Sequence, residues 1–161
     1  MGEYNTHLKW SLLFIGTCFC WQVFERLGGW HYEQIELHFK FRTLFFILTT
    51  IFFFLGIRDI IKQENHKHLK KRTVLSHGLI LTGIIALLMP ASLWILYNFI
   101  TPDFIANAND FLAESKKYSG NRSTSLSDKV LLTRIPFIFI IWGVINSAIM
   151  SFVFKIESTR G

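Results

Sequence analysis

The chain has 161 residues, 51% of them hydrophobic and only 17% charged, with 17 phenylalanines and a formal net charge of +6. A soluble domain carries about a quarter of its residues as charges, so the composition excludes an ordinary water-soluble globule: too few polar side chains remain to coat segments that are apolar all round. The length fits one membrane domain over residues 1–161, and the basic excess matches anionic lipid headgroups, not nucleic acid.

The apolar residues fall into blocks at residues 10–24, 43–57, 78–100 and 135–154. Crossing hydrocarbon takes about 20 helical residues, with a range near 17–25. The last two blocks meet this directly. The first two reach it through flanking Arg and Lys side chains, whose stems snorkel to the headgroups. The expected fold is therefore all-α: an integral membrane four-helix bundle with spans at about 9–27, 39–61, 76–100 and 134–155.

Before the first span, Met1–Thr6 fits a myristoylation pattern at Gly2, which four spans would make redundant. Lys9 precedes the apolar run as in a signal peptide, but no small-x-small cleavage site follows, so this helix is expected to be retained. Within it, Cys18 and Cys20 point about 200° apart and cannot pair with each other. No Cys-x-x-Cys motif occurs, which argues against a quinone-coupled thiol oxidase. The thiols read as small packing residues.

Between the first two spans, the stretch from Phe24 to Phe39 holds Glu25, Arg26, His31, Glu33, Glu36 and His38. Ile35–Arg42 alternates apolar and polar residues as a strand would, but a lone strand leaves its backbone groups unpaired among helices. The better expectation is a tight turn at Gly28-Gly29, with the second helix starting near His31. On that helix His31 and His38 would be ~10 Å apart in rise, too far for one zinc ion with nitrogen ligands at about 2 Å. Glu25 lies across the turn and can approach His31. A Glu–His pair there reads as a proton-binding site, a metal site completed by another loop, or a structural tie across the hairpin. No complete metal set and no cofactor are expected from the spacing.

The segment Arg58–Arg72 carries six Lys/Arg in fifteen residues and is expected on the cytoplasmic side, facing anionic headgroups. Both termini then lie inside, and residues 28–38 and 101–134 outside. His66 and His68 in that loop read as solvated loop residues before metal ligands. Pro90 should kink or loosen the third helix, with Ser92 near a freed carbonyl. In the long outer loop, Thr101-Pro102-Asp103 reads as N-cap, N1 and N2. Phe104, Ala108, Phe111, Leu112 and Ser115 then share one face of a short amphipathic helix ending near Tyr118–Gly120. Asn121-Arg122-Ser123 fits a glycosylation sequon, and Ser125–Asp128 a capping box leading into the fourth span. In that span Gly143, Ser147 and Ser151 form a small-residue stripe for packing within the chain or in a homodimer, with Asn146 a polar group at mid-span.

The series Trp10, Trp21, Glu25-Arg26-Leu27-Gly28, His31, Ile35 and His38 resembles the opening of a bacterial family of small four-span inner-membrane proteins, classed as a domain of unknown function. The segments "LGIRDIIKQ" (55–63), "YNFITPDF" (97–104) and "INSAIMSFVFK" (145–155), with a glycine leading the third span, also resemble it. The resemblance implies a bacterial cytoplasmic membrane and supplies no activity.

Three functions follow as expectations. The first is a non-enzymatic accessory or assembly component acting through helix packing, with a homodimer or another membrane protein as partner. The second is a small proton-coupled transporter, or a small-molecule or metal binder, using Glu25 and His31. The third is an enzyme with an outward metal or acid–base site around Glu25, His31, His38 and Asp103, weighed low because no spacing there is specific.

Overall fold

The computed structural model describes residues 3–63, 70–117 and 127–159. The expectations at Gly2, His66, His68, 118–123 and Ser125 lie outside the described residues. The chain runs α1 (Glu3–Leu27), α2 (Ile35–Gln63), α3 (Lys71–Ile95) with a π turn at Leu96–Ile100, α4 (Phe104–Lys117) and α5 (Asp128–Thr159). The described residues contain no strand, so the alternation at 35–42 is helical. Three helices are long and apolar enough to cross a membrane: Ile35–Gln63, Lys71–Ile100 and Lys129–Phe154.

Two helix starts, those of α2 and α4, differ from expectation, each for a local reason. α2 begins at Ile35 and not at His31, because residues 28–34 form a longer turn. α4 begins at Phe104: the Thr101 hydroxyl is buried without a hydrogen-bond partner and caps no helical N–H, and Thr101 sits at φ −133°, ψ 61°. The Asp103 carbonyl accepts the first helical N–H, from Asn107 at 3.0 Å. α5 is capped by Ser127, whose Oγ accepts from the Val130 N–H at 3.3 Å. Ser127 directly precedes the first helical residue, so its hydroxyl reaches the third N–H of the helix, the geometry that an N-cap requires.

α3 and α5 form the tightest seam. A Cβ placed on Gly78 would collide with Ser147, and one on Gly143 with Thr82. Two glycines, each facing a small hydroxyl residue, let these backbones approach. The hydroxyls are satisfied within their own helices, Thr82 on Gly78 O at 2.8 Å and Ser147 on Gly143 O at 2.6 Å. Asn146 likewise donates to Trp142 O at 2.8 Å. α2 meets α5 only sparsely. The core between the helices includes Phe14, Phe53, Ile57, Leu81, Ile85 and Met89, while Leu27, Leu87, Phe99 and Phe137 lie exposed on the outside.

Candidate functional site

The site begins with how α1 ends. Gly29 sits in the left-handed region at φ 77°. The Trp30 N–H donates to Glu25 O at 2.9 Å and the Gly29 N–H to Arg26 O at 3.0 Å. This paired pattern with a left-handed glycine is the Schellman motif. The hydrophobic contact that accompanies it is Phe24 against Trp30, with ring centroids 5.7 Å apart. The motif reverses the chain sharply, and Tyr32 and Gln34 donate back to Gly29 O at 3.1 and 3.0 Å. His31 is thereby folded over the last turn of α1.

Three side chains converge as a result. Glu25 Oε2 lies 3.2 Å from His31 Nε2 and 2.9 Å from His38 Nδ1, so both nitrogens face it as N–H donors when Glu25 is ionised. Trp21, one turn earlier on α1, donates its indole N–H to Glu25 Oε1 at 2.7 Å. Glu25 and His31 are fully enclosed, at 1% and 0% exposure, and His38 is the one partly open member. The expected separation of the two imidazoles is overturned. It assumed both on one helix, whereas His31 belongs to the turn and bends back. One donor atom from each of Glu25, His31 and His38 lies within 4.8 Å of the others.

The arrangement is braced from α4. Phe104 packs on both imidazoles, with centroids at 4.7 Å from His31 and 5.0 Å from His38, and Tyr97 stacks on Phe104 at 5.7 Å. Asn107 donates to the His31 carbonyl at 2.8 Å. Asp103, expected beside these groups, is exposed at the start of α4 and takes no part in the cluster.

Beside the cluster lies a cavity of about 450 Å³. Its inner wall is Cys18, Phe19 and Gln22 from α1 with Met89 and Leu93 from α3; its flanks are His38, Arg42 and Phe45 from α2 and Arg134, Ile138 and Phe139 from α5. It follows from the sparse contact between α2 and α5. The Gln22 Oε1 atom is buried there without a hydrogen-bond partner. His38 belongs to both cluster and cavity.

The family model described as "Protein of unknown function (DUF4199)" matches residues 9–156. The chain belongs to this family. Comparison with curated proteins and with solved structures gave no match. The DUF4199 match takes in Glu25, His31, His38 and the whole cavity lining, so the site lies inside the shared domain.

The small-residue stripe of α5 is taken up within the chain: Gly143 and Ser147 face Thr82 and Gly78 of α3, and Ser151 is buried with its hydroxyl on Ala148 O. Cys18 is buried and Cys20 exposed, both as free thiols. A second polar group, at the opposite end of the bundle, was missed in the sequence. Asp59 Oδ2 accepts from Trp10 Nε1 at 2.7 Å and from Lys9 Nζ at 3.0 Å. His7 Nε2 lies 3.2 Å from His77 Nδ1, both buried. Gly56, three residues before Asp59 and against the Trp10 ring, was the available signal, since positions three apart share a helix face.

Proposed function

We propose that the protein is a four-span, non-enzymatic integral membrane protein that binds a lipophilic molecule with an acidic head. In this reading α1 supplies the fourth span. Its 25 residues reach about 37 Å, and Leu8, Leu12, Leu13, Phe24 and Leu27 give it an exposed apolar face. α4 serves as the amphipathic cap of the outer side, with Phe104 and Ala108 buried and Asp110 and Glu114 exposed. The charge density around Arg58–Arg72 supports an orientation with both termini in the cytoplasm of a bacterial cell and Glu25 at the outer rim.

The cavity carries the functional reading. Its volume falls within the range of small-molecule sites, about 300–1,000 Å³, and its lining is largely aromatic and aliphatic. Where α2 and α5 part, a lipophilic tail has a way in from the bilayer. Arg42 and Arg134 line it from different helices, both exposed and neither in an ion pair among the described residues. Paired guanidinium groups suit a carboxylate or phosphate head. The test is a titration of delipidated protein in detergent with dansyl-undecanoic acid. Expected is saturable binding at one site, weakened about tenfold, ~1.4 kcal/mol, when Arg42→Ala and Arg134→Ala are combined, and blocked by Ile138→Trp at the cavity wall. Binding indifferent to both changes would overturn the reading.

A further inference from the structure

We propose that Glu25, His31 and His38 form a binding site for a divalent first-row transition ion such as Zn(II), independent of what fills the cavity. Two imidazole nitrogens and one carboxylate oxygen form a donor set that such ions take, with a further position left for water or a ligand. Ligand bonds of 2.0–2.2 Å place neighbouring donors roughly 3–3.5 Å apart. Glu25 Oε2 already stands 2.9 and 3.2 Å from the two nitrogens. The carboxylate oxygen thus stands at ligating spacing from both nitrogens, and all three donors lie within 4.8 Å of one another, so the two imidazoles need only close on the ion.

The surroundings are those of a metal centre. Trp21 holds the second carboxylate oxygen of Glu25, the kind of outer hydrogen bond that orients a ligating group. Asn107 fixes the backbone of His31, and Phe104 walls both rings. The enclosure is dry on the Glu25 and His31 sides and open only at His38, which lines the cavity. That leaves the cavity as the side from which a further ligand approaches.

A structural tie alone explains the cluster less well. His31 is fully buried, and its Nδ1 has no hydrogen-bond partner. An orphaned buried polar atom is a cost, and the same cost is present with an ion on Nε2, since Nδ1 then carries the N–H; what separates an ion site from a tie is why an imidazole is used at all. A tie to Glu25 needs one donor, which a smaller amide or hydroxyl residue supplies without leaving a second nitrogen stranded. Ion binding needs the imidazole itself.

The test uses the full chain in detergent, stripped with chelator and titrated with Co(II) alone, read by ligand-field absorption. Because His66, His68 and the His7–His77 pair are rival ligands, the titration is repeated with His66→Ala, His68→Ala and His77→Ala combined. Expected is a nitrogen-ligated band saturating at one equivalent, displaced by Zn(II), and retained in that combined variant. His38→Ala, at the open edge, and Glu25→Gln should each weaken it by at least about tenfold. Circular dichroism reports whether each protein is folded. The proposal is overturned if folded wild-type protein gives no band, if the combined variant loses it, or if folded His38→Ala keeps it at full affinity. Should His38→Ala or Glu25→Gln not fold, the combined variant decides alone, since His7, His31 and His38 are then the histidines left.

Discussion

The two ends of the bundle use one device in opposite settings. At each, a tryptophan of α1 donates its indole N–H to a carboxylate at 2.7 Å: Trp21 to Glu25 and Trp10 to Asp59. At the Asp59 end Lys9 and Gln63 join the tryptophan, and the Lys9 and Asp59 side chains are 57% and 32% exposed. At the Glu25 end the partners are two imidazoles, and the carboxylate is 1% exposed. Water solvates the first pair and screens it. Nothing but protein surrounds the second, so each hydrogen bond there counts for more and each loss is felt in full. The difference separates a surface tether from an enclosed polar cluster.

The comparison breaks most sharply on removal of the carboxylates. Glu25→Ala leaves two imidazole N–H groups and an indole N–H without their acceptor, and a buried donor left unpaired costs about 1–3 kcal/mol. Asp59→Ala removes a solvent-exposed ion pair worth about 0–1 kcal/mol and one indole hydrogen bond of similar size. Unfolding of both variants in the same micelle, followed by far-ultraviolet circular dichroism, should rank them in that order with a clear gap. Equal losses would show that the Glu25 cluster is as wet as the Asp59 surface.

A smaller effect sharpens the origin of the cluster. Gly29→Ala puts a Cβ on a residue at φ 77°, which costs roughly 1–2 kcal/mol. No atom stands within 4 Å of where that Cβ would sit, so the penalty is backbone strain and not a clash. It should loosen the turn that folds His31 onto Glu25 and leave Asp59 untouched. Hydrogen–deuterium exchange should rise across residues 24–38 and stay unchanged around 56–63. A uniform rise would mean that the turn supports the whole bundle, not the site.

Much of this architecture is legible in the chain, and the misses share one cause. Apolar block lengths find the helices, because the hydrophobic length a membrane demands is written directly into composition. Gly28-Gly29 marks the turn, and Glu25 against His31 follows from it. His38 does not, because its approach depends on where α2 starts, and a four-residue shift from His31 to Ile35 frees His31 to bend back. Helix boundaries are set by caps and by what the turn packs against, both weakly encoded locally. Phe104 and Asn107 come to the site from more than sixty residues away, a pairing that periodicity within one helix cannot reveal. The cavity is hidden for the same reason, since it is the space left where α2 and α5 part. Trp10 and Asp59 stand on separate helices, and only Gly56 hints at the close approach.

The smallest expected effect tests the solvation contrast itself. Lys9→Met should cost a few tenths of a kcal/mol at low salt, in line with an exposed pair. That loss should vanish by about 1 M salt, where the Debye length falls to roughly 3 Å, close to the 3.0 Å separation of Lys9 and Asp59. The Glu25→Ala deficit should persist at the same ionic strength, because ions do not reach a buried carboxylate held by His31, His38 and Trp21. Unfolding of both variants against wild type at low and high salt gives the two slopes. Parallel slopes would mean that electrolyte reaches both carboxylates alike, and burial would then no longer distinguish the two ends.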